Sequence, residues 1–301
     1  MASFALSVIR LGLRLVSTVS PEHGGRLAYR LFCTTDSRKP KGAKQREAHA
    51  EGMRLLSGAK ATRMSLSDCS VMAHRFDGAL PSDAPRVLVV HGWGSGAAYL
   101  APMAKGLHEA GNRVVALDLP GHGQSSGRIL DMRRAVEAIQ AAAREHGPFD
   151  AIVAHSFGGA ATIAATSGLI ACVPRTQAGR LVIIGAPSRL DFIFGGFARI
   201  MRLGPAMLER VERQAEIGTG LHPARFDGAR LVAALGVPAL IVHAQDDKEV
   251  PADNAAAYEG RSPRIRVMWA NGLGHRRIVR DAGVISAIAA FIAEGRVAEA
   301  A

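Results

Sequence analysis

The segment Asp150-Ala-Ile-Val-Ala-His-Ser-Phe-Gly-Gly159 runs from an apolar stretch through a single serine into small residues. A serine hydroxyl is a weak nucleophile unless a sharp turn exposes it beside a base, with backbone N–H groups ready for a developing negative charge. Ala154, Gly158 and Gly159 are small enough to let a strand, a turn and a helix approach closely and project Ser156 in that way. Three other segments could supply the remaining parts. Arg86-Val-Leu-Val-Val-His-Gly-Trp-Gly-Ser95 reads as a strand entering a Gly-rich loop, suited to offering an N–H to an oxyanion. Ala239 to Pro251 places Asp246 and Asp247 just past a late apolar run, and Asp191 is a further acid after an earlier one. Asn271-Gly-Leu-Gly-His275 puts a histidine in a flexible loop near the end of the chain.

These residues need a scaffold that brings loops far apart in sequence to one place. Short Val/Ile/Leu-rich runs predict strands over 61–67, 71–77, 86–91, 113–118, 150–155, 181–185, 238–243 and 264–269. Helices are predicted between them over 97–111, 131–146, 157–169 and 252–259, with 279–297 closing the chain. From residue 86 onward, buried strands alternating with helices predict a mainly parallel sheet covered on both faces. The two earlier strands suit an antiparallel edge. Residues 188–230 interrupt the alternation with helical pieces broken at Gly204-Pro205 and between Gly218 and Pro223, a candidate lid. Its apolar side chains include Phe194, Phe197 and Met201, read as candidate acyl-chain contacts or as packing of the lid itself.

The motifs HGWGS at 91–95, DLPGHGQS at 118–125, AHSFGG at 154–159, HAQDDKEVP at 243–251 and GLGH at 272–275 resemble the α/β-hydrolase superfamily over about residues 60–295. That resemblance implies an eight-stranded, mostly parallel α/β sheet and a triad in the order serine, acid, histidine. The family spacing selects Asp247 over Asp246 and Asp191. Ser156 would attack a carbonyl carbon, His275 would take and return the proton, and Asp247 would orient the imidazole. The backbone N–H groups of Trp93 and Phe157 would form the oxyanion hole. His91, His122, His155 and His243 are read as structural, and Asp118 as a carboxylate that fixes its own loop. A serine in place of an aspartate nucleophile points to acyl transfer, with a small-molecule carboxylic ester as the leading substrate. Thioesters or carrier-linked esters are the alternative, and a ligand-binding protein retaining the fold is the non-enzymatic one. No metal-ligand spacing and no nucleotide-binding Gly-rich turn occurs, so no metal or cofactor is expected.

Composition limits the other readings. No run of eighteen apolar residues predicts a membrane span, and three scattered cysteines fit a reducing, cytoplasmic setting better than a disulfide framework. Of the net charge of +11, residues 1–46 carry +7, from nine Lys/Arg against Glu22 and Asp36. The excess sits in an arm without groove-reading elements, so nucleic acid is not expected as a partner. Residues 3–19 predict an amphipathic helix whose apolar run is interrupted by Arg10 and Arg14, so a secretory signal is not expected. Such a helix could touch an anionic membrane peripherally, although packing on the protein's own body or on a second copy is the simpler expectation. Residues 38–51 read as a polar linker, which divides the chain into an arm and linker at 1–51 and a hydrolase domain at 52–301.

Overall fold

The structure is a computed structural model that describes residues 4–36 and 38–299, so Ser3 of the expected first helix lies outside the described residues. The strands are β1 (Lys60–Ser65), β2 (Ser70–Phe76), β3 (Arg86–Val90), β4 (Arg113–Asp118), β5 (Phe149–His155), β6 (Ala178–Ile184), β7 (Ala239–His243) and β8 (Ile265–Trp269). The helices are α1 (Phe4–Val19), α2 (Pro21–Cys33), α3 (Ala43–Leu56), α4 (Ala97–Glu109), α5 (Met132–His146), α6 (Phe157–Ser167), α7 (Asp191–Met201), α8 (Pro205–Thr219), α9 (Gly228–Leu235), α10 (Asp253–Ala256), α11 (Gly274–Arg277) and α12 (Ala282–Glu299). The chain divides into two compact units, one of residues 35–188 and 228–301, the other of residues 1–34 and 189–227.

The larger unit is a single eight-stranded sheet in the order β1-β2-β4-β3-β5-β6-β7-β8. Strands β3 to β8 pair in parallel, while β2 runs antiparallel to both β1 and β4. The interior strands are almost continuous apolar runs, as burial on both faces requires: Val87 to Val90, Val114 to Leu117, Ala151 to Ala154 and Leu181 to Ile184 are all buried. Parallel pairing puts the carboxyl ends of β3, β5, β6, β7 and β8 on one edge, and the loops leaving that edge carry every candidate site residue of this unit.

The segment expected to be a linker is instead largely helical. Although α3 is mostly polar, Leu56 is buried and Met53 and Leu55 pack against the same core. A Cβ at Gly52 would stand 1.8 Å from the Ala98 carbonyl oxygen, so only glycine lets α3 come this close to α4.

The smaller unit joins the arm to the insert. Gly24 and Gly25 of α2 are the points of closest approach, since Cβ atoms there would meet Ser17 Oγ at 2.3 Å and Arg210 Cβ at 2.8 Å. Phe32 then packs its ring against Phe194 and Phe197, with centroids 4.6 and 5.1 Å away. The predicted break at Gly204-Pro205 is the junction between α7 and α8.

Candidate functional site

Ser156 lies between the last residue of β5 and the first of α6, and its backbone angles are φ 55° and ψ −127°. A non-glycine residue at positive φ is costly, and here it turns the side chain out of the strand line at the carboxyl edge. Small neighbours make the turn sterically feasible. Cβ atoms at Gly92, Gly158 and Gly159 would fall 2.6 Å from Ser156 Cβ, 2.4 Å from the His91 carbonyl oxygen and 2.5 Å from Ala186 Cβ. Ser156 Oγ is 3.0 Å from His275 Nε2, and His275 Nδ1 is 2.7 Å from Asp247 Oδ2. An ionised carboxylate only accepts, so Nδ1 carries the imidazole proton and Nε2 is left to accept from the serine. Asp247 Oδ1 accepts from the Glu249 and Val250 N–H groups at 2.8 and 2.9 Å. Burial pushes the Asp247 carboxyl up, but the bonds from His275, Val250 and Glu249 outweigh it and hold the group below the usual carboxylate range.

Neighbouring side chains hold these three in place. His155 Nε2–H donates to the His275 carbonyl at 2.9 Å, and His243 Nε2–H to the Val250 carbonyl at 3.0 Å. In the loop after β3, Leu119 N–H donates to His91 Nε2 at 2.9 Å, which leaves Nδ1–H to donate to the Gly92 carbonyl at 2.7 Å. His122 likewise accepts from Gly94 N–H through Nε2 at 2.9 Å and donates through Nδ1 to the Pro120 carbonyl at 3.0 Å. Two neutral imidazoles therefore grip the backbone on either side of Trp93. Asp118 accepts from Ala97 and Gln124 N–H groups at 2.7 and 2.9 Å, and a Cβ at Gly123 would collide with its carboxylate at 2.0 Å. It fixes its own loop, as its position in the sequence suggests.

A profile of the alpha/beta hydrolase family matches residues 87–287. The chain belongs to this family. Solved structures of similar fold include an esterase from Pyrococcus furiosus, 17% identical with a TM-score of 0.60, covering 86% of this chain and 98% of that one. A carboxylesterase from Bacillus subtilis is 14% identical with a TM-score of 0.57, covering 82% and 96%. The thioesterase domain of the curacin biosynthetic pathway is 17% identical with a TM-score of 0.55, covering 78% and 99%. No curated protein sequence matches the chain.

The remaining candidate residues of this alpha/beta hydrolase are placed as follows. Trp93, in the loop after β3, and Phe157, the first residue of α6, meet edge to face with ring centroids 6.0 Å apart. Of the rival acids, Asp246 Oδ1 accepts from Gly272 N–H at 2.7 Å, and Asp191, in the smaller unit, is ion-paired with Arg189 at 3.2 Å. Phe194 and Met201 are buried and Phe197 is half-buried within the smaller unit, the two rings engaged with Phe32. Two site neighbours escaped the sequence reading. Glu249 Oε2 stands 4.0 Å from His275 Nε2 while pairing with Arg276 at 2.7 Å. Gly185, at φ +53°, leaves its missing side chain's space to His275 Nδ1 and Asp247 Oδ2, which a Cβ would meet at 3.4 and 3.5 Å. Its signal was a glycine at the end of the strand predicted over 181–185, whereas Glu249 lay inside the motif HAQDDKEVP. Among the described residues no group of three or more His, Cys, Asp or Glu side chains could hold a metal ion.

The buried imidazoles should make the fold of this hydrolase sensitive to acid. Burial, with the neighbouring His91, lowers the His122 pKa to about 4. Burial, with the neighbouring His275, lowers that of His155 to about 3. The unfolded chain therefore takes up these protons first, so the stability they support is complete above about pH 6.5 and is lost as pH falls towards the folded values. At pH 5 the two together should remove roughly 4 kcal/mol relative to neutral pH. His91, also lowered by burial, acts in the same direction. Urea unfolding at pH 7.5 and pH 5 tests this, and equal stabilities at the two pH values would refute it.

Proposed function

We propose that this alpha/beta hydrolase is a serine hydrolase that cleaves carboxylic esters through an acyl-enzyme intermediate. The observation that carries the reading is the continuous hydrogen-bonded line from Ser156 Oγ through the His275 imidazole to Asp247. On this reading Ser156 Oγ attacks the ester carbonyl carbon while its proton passes to His275 Nε2. Asp247 stabilises the imidazolium that forms and keeps the ring aligned. The carbonyl oxygen becomes an oxyanion held by the Phe157 and Trp93 backbone N–H groups. Phe157 is the first residue of α6, where N–H groups have no partner within the helix. The imidazolium then protonates the departing alkoxide, and the acyl group stays on Ser156. Water, deprotonated by His275, attacks the acyl-enzyme and releases the carboxylic acid.

The esterase and carboxylesterase among the structural neighbours favour oxygen esters. A thioester on an acidic carrier is the second reading, favoured by the thioesterase domain among those neighbours and by the net charge of +11. Release of a chromogenic alcohol from esters graded from acetyl to palmitoyl, run beside the matching acyl thioesters, tests both. Activity on the oxygen esters that peaks at one chain length is the expected result. Turnover confined to thioesters and falling steeply with salt would replace the first reading with the second. Failure of Ser156 to take a serine-directed phosphonate label would overturn both and leave a ligand-binding protein.

A further inference from the structure

The face of α1 that the fold leaves uncovered carries seven of the eleven large apolar side chains exposed among the described residues. Inside the smaller unit α1 packs through Leu6, Arg10, Leu13 and Ser17, spaced four, three and four residues apart, with Leu13 buried. Arg10 reaches across from that face and donates through Nε to the Ile200 carbonyl at 3.0 Å. The other side of the helix carries Phe4, Val8, Leu11, Leu15 and Val19 in one line, with Ile9 and Val16 beside it. All seven are exposed, Phe4 by 86%, Leu15 by 62% and Val19 by 89%. Scattered exposed apolar side chains are ordinary, but an unbroken stripe along a whole helix is the mark of a surface that meets something apolar.

We infer that α1 docks the protein on an anionic lipid bilayer, lying flat in the interface with the Phe4–Val8–Leu11–Leu15–Val19 stripe turned into the lipid. The charges choose this occupant over a second copy of the chain. No acidic residue occurs in α1, whereas Arg10 and Arg14 do, and the bond from Arg10 to Ile200 brings the exposed Arg199 and Arg202 into the same region. Two copies meeting through α1 would bring together two helices that carry arginine and no carboxylate, on molecules that each carry +11. Anionic headgroups supply the missing counter-charge. The 16 described residues of α1 make about 24 Å of helix, less than the roughly 30 Å of a bilayer's hydrocarbon. Among the described residues no helix is long and apolar enough to cross a membrane. The inference is independent of what the hydrolase site acts on.

Flotation of the full chain with phosphatidylcholine vesicles, with and without phosphatidylserine, tests it. The wild type should float with the phosphatidylserine vesicles and remain in solution with the neutral ones, and added salt should weaken its binding. The variant Val8→Gln/Leu11→Gln/Leu15→Gln, altered only at exposed positions, should bind at least about tenfold more weakly, since three apolar side chains no longer enter the lipid. Arg14→Glu combined with Arg199→Glu should weaken binding severalfold and remove most of its salt dependence. Circular dichroism shows whether each variant keeps the wild-type helix content. Wild-type binding that the glutamine variant retains, or absence of binding to either vesicle, would overturn the inference. So would a lipid-free dimer of the wild type that the glutamine variant converts to monomer, because a second copy would then cover the stripe.

Discussion

Ser156→Ala should lower turnover by roughly 10⁵–10⁶-fold, leaving only what the oxyanion donors and substrate binding contribute. The loss is large because Ser156 Oγ, 3.0 Å from His275 Nε2, is the nucleophile of the proposed path. Substrate binding should change little, since the hydroxyl contributes chiefly to the transition state, so the effect falls on kcat and not on KM. Folding offers an independent check. At φ 55° and ψ −127° any side chain is strained, and alanine inherits the strain while glycine does not. Ser156→Gly should therefore be as inactive as Ser156→Ala yet more stable, by about 1 kcal/mol and of the order of the strain itself. Thermal unfolding and steady-state kinetics on the same preparations separate the two effects. Residual turnover above about a hundredth of wild type in both variants would mean that another group carries the chemistry.

The sheet was legible because its signal is local. Buried strands such as Val87 to Val90 and Ala151 to Ala154 are apolar throughout, and each is closed by Gly, Pro or a polar loop. All eight expected strands are present, and the two early ones form the antiparallel edge. The helices that escaped are those whose stability comes from distant partners. Residues 43–51 are polar enough to pass for a linker, and Gly52, Met53, Leu55 and Leu56, answered by Ala98 and its neighbours, tie α3 to the core. Gly24 and Gly25 are poor helix formers, yet Ser20 caps α2 by accepting from His23 N–H, and the two glycines are points of close packing. The pairing of the arm with residues 189–227 depends on Phe32 meeting Phe194 and Phe197, contacts between side chains more than 150 positions apart. The chemistry-bearing segments were legible because strand, turn and residue type coincide at each. Among the three acids the family spacing favours Asp247, and its Oδ2 lies 2.7 Å from His275 Nδ1.

Asp247→Asn should lower kcat by roughly 10⁴-fold while Asp246→Asn changes it by less than about tenfold. The two side chains are adjacent in sequence but face different partners: Asp247 Oδ2 is 2.7 Å from His275 Nδ1, and Asp246 Oδ1 accepts from Gly272 N–H. An amide at 247 can still accept from the Glu249 and Val250 N–H groups through its oxygen, so the loop should keep its shape. Its NH₂ would then face His275 Nδ1, which can meet it only as an acceptor, so the imidazole proton would sit on Nε2. In that tautomer Nε2 cannot take the serine proton, and the ring can no longer act as the base. The carboxyl also bears on pH. It is held below the ordinary carboxylate range, so its contribution to stability is present above about pH 4 and is lost as pH falls through its folded value. That window lies below the one set by His122 and His155, so Asp247→Asn should leave the loss of stability between pH 7 and pH 5 unchanged. Kinetics of both asparagine variants, with urea unfolding across that range, test the assignment. Equal losses of kcat in the two variants, or a loss confined to Asp246→Asn, would move the orienting role away from Asp247.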